Sequence, residues 1–282
     1  MQTRIFRALN LIVMLTLLAV MGMRTPLAVE AQVALQANFP VYLPLISRGC
    51  QPTGETYGTI NMIPPVADHV DYKHADLNID LRGYITTSDT PLGLKAIIGN
   101  TDALAPQLNT LFGDGRVPTF VQNYRIGDWN WSVPPDGAPT GTYASNPPVT
   151  LAGFSVATSE KIYIPNSGYQ IGANPTYNVA VLYATSKQIT FVYTAQDTVA
   201  SGYAIHTDNI CVDPTLVSLY QSVNAAGRDY LPALRHGQAI GYPLTTRIVV
   251  GIVDRGAFQD PRSCKDWWKS HWNGSTVSPV CN

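Results

Sequence analysis

Residues 178–208 read Asn-Val-Ala-Val-Leu-Tyr-Ala-Thr-Ser-Lys-Gln-Ile-Thr-Phe-Val-Tyr-Thr-Ala-Gln-Asp-Thr-Val-Ala-Ser-Gly-Tyr-Ala-Ile-His-Thr-Asp. Three short runs rich in Val, Ile, Tyr and Thr stand here between polar or small spacers. That is the pattern of strands joined by tight connections, and none of the runs is long enough for an ordinary helix. Outward from this stretch the same signal recurs. The predicted strands are Thr150–Ser155, Lys161–Pro165, Asn178–Ala184, Gln188–Thr194, Gly202–Asp208 and Arg247–Asp254. Between the last two lies one helix, with Asp213 as N-cap, Pro214 at the first position, Leu216, Leu219, Tyr220 and Val223 on one face, and Gly227 as its stop. A second short helix is expected over Asp102–Phe112, and residues 113–150 read as loop-rich. Long helices do not alternate with the strands, so a doubly wound parallel sheet is excluded. The fold class is all-β, mostly antiparallel, with two or three short helices.

Composition agrees. The 282 residues carry 18 Lys+Arg against 19 Asp+Glu, a net charge of -1, and only 13% are charged. That is about half the share in an average soluble domain. Disorder and an electrostatic nucleic-acid partner are both disfavoured, since one needs high net charge and the other a basic face. With 22 Gly, 21 Pro and 15 Tyr, the chain has many turns and many amphipathic rings.

The N-terminus reads as an export signal over residues 1–31. Arg4 and Arg7 precede an apolar run from Leu9 to Met23, and Val29-Glu30-Ala31 places small residues before a cleavage site at Gln32. The run falls short of the roughly 20 residues that span a bilayer. A secreted or cell-surface protein without membrane insertion after cleavage is expected. Residues 32–58 read as an extended leader, with the proline-punctuated strip Phe39–Ile46, and residues 59–282 as one β-rich domain, divisible at 149/150 into two lobes. Four cysteines, with no C-x-x-C pair among them, suit disulfides in an oxidising compartment. The preferred pairing is Cys50–Cys211 and Cys264–Cys281.

Leu234-Arg235-His236-Gly237-Gln238-Ala239-Ile240-Gly241, followed by Arg247 through Asp260-Pro261, resembles the closing hairpin of lysostaphin-type zinc endopeptidases (the duplicated hybrid motif), where a G-Q-x-I-G turn precedes a strand with a G-x-x-x-D-P exit. Gly202-Tyr203-Ala204-Ile205-His206 is similar to that family's L-Y-A-H-L strand, and His74 through Leu81 to its H-x-x-x-D-I ligand segment. The resemblance spans residues 74–261 in the family's order. It implies a β sandwich or open barrel, metal ligands at His74 and Asp80, and a catalytic role for His206. It also implies a lost metal site. The second His of the family's H-x-H falls on Val249, which has no lone pair, and the residue four after His74 is Asn78 rather than an acid.

Three further patterns bear on function. The cluster Asp68, His69, Asp71, His74, Asp76 and Asp80 is oxygen-rich, which suits Ca²⁺ better than Zn²⁺ if Asp76, Asn78 and Asp80 share a strand face. On the strand at 203–208, His206 shares a face with Asp208 and could shuttle protons through it. Trp129 and Trp131, with Trp267 and Trp268, suggest rings that stack on sugar faces, although Trp is usually buried. The expectation is a secreted, non-catalytic binding protein that needs no cofactor and recognises peptidoglycan or another glycan. The rivals are a divergent metal-dependent cell-wall hydrolase, with zinc or calcium, and a structural cell-surface component.

Overall fold

The computed structural model describes residues 49–65, 73–88, 90–97, 99–173 and 176–272. The chain divides into two units, residues 1–47 and 48–282, and every described residue lies in the second. The strip at 39–46, the export signal, Asp68, His69, Asp71 and Cys281 lie outside the described residues.

The strands are β1 (Gly58–Asn61), β2 (Tyr84–Thr87), β3 (Phe120–Asn130), β4 (Ala138–Tyr143), β5 (Leu151–Ser155), β6 (Ile162–Tyr163), β7 (Val179–Ala184), β8 (Gln188–Val192), β9 (Tyr203–Asp208), β10 (Ile210–Val212), β11 (Tyr230–Leu234), β12 (Ala239–Pro243), β13 (Arg247–Asp254) and β14 (Ala257–Gln259). Two short helices join them, α1 (Pro214–Ala225) and α2 (Cys264–Trp267). The main sheet runs β1-β11-β7-β8-β9-β13-β5-β3-β2, with β14 on β13 and β4 on β3, and β10-β12-β6 form a second sheet. Every pairing between these strands is antiparallel. The all-β expectation therefore holds, in an open sheet and not a closed barrel.

The central strands β7, β8 and β9 are buried along their whole length. β7 reads as a continuous apolar run because both of its faces are covered, while β8 and β9 carry polar residues on one buried face. On one face Phe154, Ile248, Val250, Ile205 and Phe191 join the larger core, where Leu216 and Tyr220 of α1 are also buried. Each such side chain contributes roughly 1.5–3 kcal/mol by leaving water. On the other face Ile79, Tyr124, Ile126, Leu151 and Val249 make a smaller core. Ile79 belongs to residues 74–83, which lie over this face as successive turns, with Leu77 and Asn78 N–H donating to the His74 carbonyl and Gly83 N–H to that of Ile79. Asp76, Asn78 and Asp80 therefore do not alternate along a strand.

Three expectations need correction. The helix over 102–112 shrinks to a 3-10 turn at Leu108–Leu111. Pro106 removes a backbone donor and its ring collides with the preceding turn. Residues 113–150 are not loop throughout: between the connections they hold β3, the longest strand, and β4. The leader's last residues are part of the domain. Cys50 is disulfide-bonded to Cys211, Thr53 N–H and Oγ1 both donate to Asp213 Oδ2 at 2.6 and 2.7 Å, and β1 pairs β11. Gly241 is required where β12 passes β10, because a Cβ there would collide with the Cys211 carbonyl.

Candidate functional site

The register assembles one polar row across the sheet. Gln188 of β8 stands opposite Asp208 of β9, which stands opposite Val249 of β13; one step along, Thr190, His206 and Gly251 form the next row. Residues 74–83 roof these rows. Gln188 Nε2 donates to Asn78 Oδ1 at 3.0 Å, and Thr190 Oγ1 donates to the Leu77 carbonyl at 2.7 Å. Thr190 spends its one proton there, so it accepts from His206 Nδ1, 2.8 Å away. That fixes the neutral tautomer with the lone pair on Nε2, which is buried without a partner among the described residues. Burial, and then the Arg82 guanidinium, push the His206 pKa down to about 3. Phe258 stacks on the imidazole at 5.5 Å.

His206 thus takes Thr190 as its partner, not Asp208. Asp208 accepts from the Tyr84 hydroxyl at 2.5 Å and from the Asn209 N–H at 2.7 Å. Burial and that carboxylate together push the Tyr84 phenol far up. Arg82 lies over Phe258 and is paired with Asp76, while Asp80 is paired with Lys187 at 2.7 Å. Of the acids that suggested Ca²⁺, Asp76 and Asp80 are therefore neutralised by the chain's own cations.

The residues expected to hold a metal are placed apart in their contacts. His74 accepts from Asp76 N–H through Nδ1 and packs against Trp131 at 4.7 Å. Asp80 meets Lys187, and His206 faces Thr190 and Phe258. His236, in the segment that resembles the family's closing hairpin, accepts from Ser167 N–H through Nε2. Among the described residues no group of three or more His, Cys, Asp or Glu is placed to hold a metal ion.

The tryptophans divide. Trp267 and Trp268 are 5% and 0% exposed, and their Nε1 atoms donate to the Asp260 and Pro261 carbonyls at 2.9 Å. Trp268 meets Phe120 and Phe154, so both rings fill the core instead of a sugar platform. Trp131, at the tip of the β3–β4 hairpin, is 37% exposed, beside Trp129 at 6.1 Å. Trp129 is tied down through Nε1 to the Asp136 carbonyl. Cys264 is bonded in a disulfide, and its expected partner, Cys281, lies outside the described residues.

Sequence reading missed a cleft of about 520 Å³ lined by Asn100, Asp102, Tyr169, Tyr203, Asp254 and Arg255, among others. Asp102 caps the abortive helix by accepting from Leu104 N–H at 2.8 Å, and its other oxygen accepts from the Tyr169 hydroxyl at 2.6 Å. Burial opposes its charge, but these donors and the Tyr203 hydroxyl win and hold its carboxyl below the usual range. Tyr203 rests edge-on against buried Trp267 at 5.6 Å, and Tyr169 leans on Tyr203 at 5.9 Å. Tyr169 is a partly exposed ring on a fixed stem. Asp254 ends β13 across the cleft. Burial, with a smaller push from Asp102, raises its carboxyl despite Arg255. The acids are about 150 residues apart in sequence, so no local pattern joins them.

Comparison with known family models, curated proteins and solved structures finds no match.

Proposed function

We propose that this chain is an extracellular, non-catalytic binding domain that recognises a glycan, with cell-wall peptidoglycan among the candidates, through the cleft between Asp102 and Asp254. One observation carries the reading: a half-open tyrosine ring, locked by a carboxylate and backed by two further aromatic rings, faces a free carboxylate across a cleft of about 520 Å³. Ligand sites commonly take about 300–1,000 Å³ and combine apolar walls with a few placed polar groups. An aromatic face supplies the stacking surface for a pyranose, and the polar rim takes its hydroxyls.

Support for an extracellular setting comes from the Cys50–Cys211 disulfide, which is typical of oxidising compartments. No helix among the described residues is long and apolar enough to cross a membrane. Support for a binding role without catalysis comes from Val249. It lies in the row of Asp208, beside the row of His206, at the position where the resemblance calls for a zinc-binding imidazole. The scaffold of a degenerate lysostaphin-type peptidase fits this reading.

Binding to a panel of soluble oligosaccharides and to insoluble wall polysaccharides tests it. Tyr169→Ala is expected to weaken binding at least tenfold while the sheet content by circular dichroism is kept. Unaltered binding by that variant would remove the cleft from the account. One tightly held zinc per chain, with chelator-sensitive wall hydrolysis, would replace the reading with the hydrolase.

A further inference from the structure

The two carboxylates of the cleft are not equivalent. Asp102 is consumed by the protein: it takes the Tyr169 hydroxyl and the Leu104 N–H, and its backbone carbonyl holds the Lys269 ammonium. Asp254, in contrast, has no side-chain hydrogen bond or ion pair among the described residues, although it is partly buried. A partly buried carboxylate without donors forgoes solvation that a ligand can restore.

Its position is fixed. Asp254 closes the β13–β9 ladder opposite Tyr203 and starts the turn at Arg255, whose φ of 47° and whose N–H bond to the Gly202 carbonyl at 2.8 Å hold the backbone. The acceptor is therefore presented on the sheet and not on a wandering loop. Resting on the glycan-binding reading above, we infer that Asp254 selects the ligand: its carboxylate accepts from paired hydroxyls of a neutral sugar laid against Tyr169, and it excludes sugars that carry a carboxylate at this subsite.

The chemistry is that of two parallel O–H···O⁻ bonds, which are shorter and about twice as strong as neutral ones. An acidic sugar would offer acceptors where donors are needed, and it would bring a like charge next to both Asp254 and Asp102, a repulsion that the neighbouring Arg255 guanidinium offsets only in part, since the Asp254 carboxyl is raised despite it. Discrimination then comes from both sides, a good contact to the right ligand and a repelled charge on the wrong one.

The test is a glycan array of matched pairs, each neutral hexose or N-acetylhexosamine oligomer beside its uronate counterpart, probed with the purified protein and with Asp254→Asn. The wild type is expected to bind neutral members at least tenfold more tightly than uronates. Asp254→Asn is expected to cut that ratio to threefold or less, chiefly by gaining affinity for the uronates, a gain that mere structural damage would not produce. If the wild type binds both members of each pair alike, or the ratio is unchanged in Asp254→Asn, the selectivity role falls while glycan binding stands. If the wild type binds no member and no wall polysaccharide, glycan binding itself falls, and this inference with it.

Discussion

His206 and Thr190 are joined by a 2.8 Å bond across neighbouring strands, and the same threonine hydroxyl ties the sheet to its roof at the Leu77 carbonyl. Thr190→Val keeps the shape but strands a ring N–H and a carbonyl in the core. Unmet buried groups cost about 1–3 kcal/mol each. Urea unfolding is expected to show a loss of roughly 2–4 kcal/mol, and a loss below about 0.5 kcal/mol would contradict the assigned tautomer.

The same imidazole makes stability depend on pH. Its folded pKa is about 3 against 6.5 for the free side chain. Between these values the unfolded chain binds a proton that the folded chain refuses, so stability falls as pH falls, by up to about 1.4 kcal/mol per unit. Above pH 6.5 the group contributes no slope. Unfolding free energies measured from pH 8 to 4 are expected to bend downward below 6.5, with a shallower bend in His206→Asn. Equal slopes in the two proteins would dismiss the effect.

Asp213 links two distant segments. Oδ1 takes the N–H and Oγ1 of Thr215 at 2.8 and 2.7 Å as the α1 cap, and Oδ2 takes the N–H and Oγ1 of Thr53. Burial disfavours its charge, yet these four donors hold its carboxyl below the usual range. Asp213→Ala removes a cap worth about 1 kcal/mol and leaves the Thr53 amide buried without an acceptor. A loss of roughly 2–4 kcal/mol is expected, with protease cleavage newly appearing near residues 49–57. A loss confined to 1 kcal/mol would mean that the Thr53 anchor contributes little.

The Cys50–Cys211 bond closes a loop of 161 residues in sequence separation. On the chain-entropy account, loops of this length stabilise the fold by about 5 kcal/mol through the unfolded state. Cys50→Ser with Cys211→Ser is expected to lower the guanidinium midpoint with little change in sheet content by circular dichroism. An unchanged midpoint would refute the estimate.

Much of the sheet was legible because β5, β7 and β13 are apolar on both faces and β8 and β9 keep one apolar face, so each stands out as a run between turn residues. α1 was legible because Asp213, Pro214 and the Leu216/Tyr220 spacing agree. β3 escaped because polar residues interrupt it; Asn123 is fully buried only because its amide reaches the Thr90 and Pro91 carbonyls. β11 escaped because it contains Pro232, tolerated where the strand meets only β1. Composition could not tell the packed rings of Trp267 and Trp268 from the half-open ring of Trp131, since that depends on which neighbours the chain brings. In sequence Asp102 only opens an expected short helix and Asp254 only ends a strand; the tertiary path alone brings them to a common cleft with Tyr169.

The point where the chain enters the domain has a mechanical meaning. Tension arriving from the residues before 49 meets the Cys50–Cys211 bridge before it reaches β1, and the bridge passes it to β10 and, through the Asp213 clasp, to α1. The four pairs between β1 and β11 would otherwise open one after another like a zipper. With the covalent link in place they are shielded from a pull, and the cleft at the far ends of β9 and β13 would keep its shape while the tether is under load.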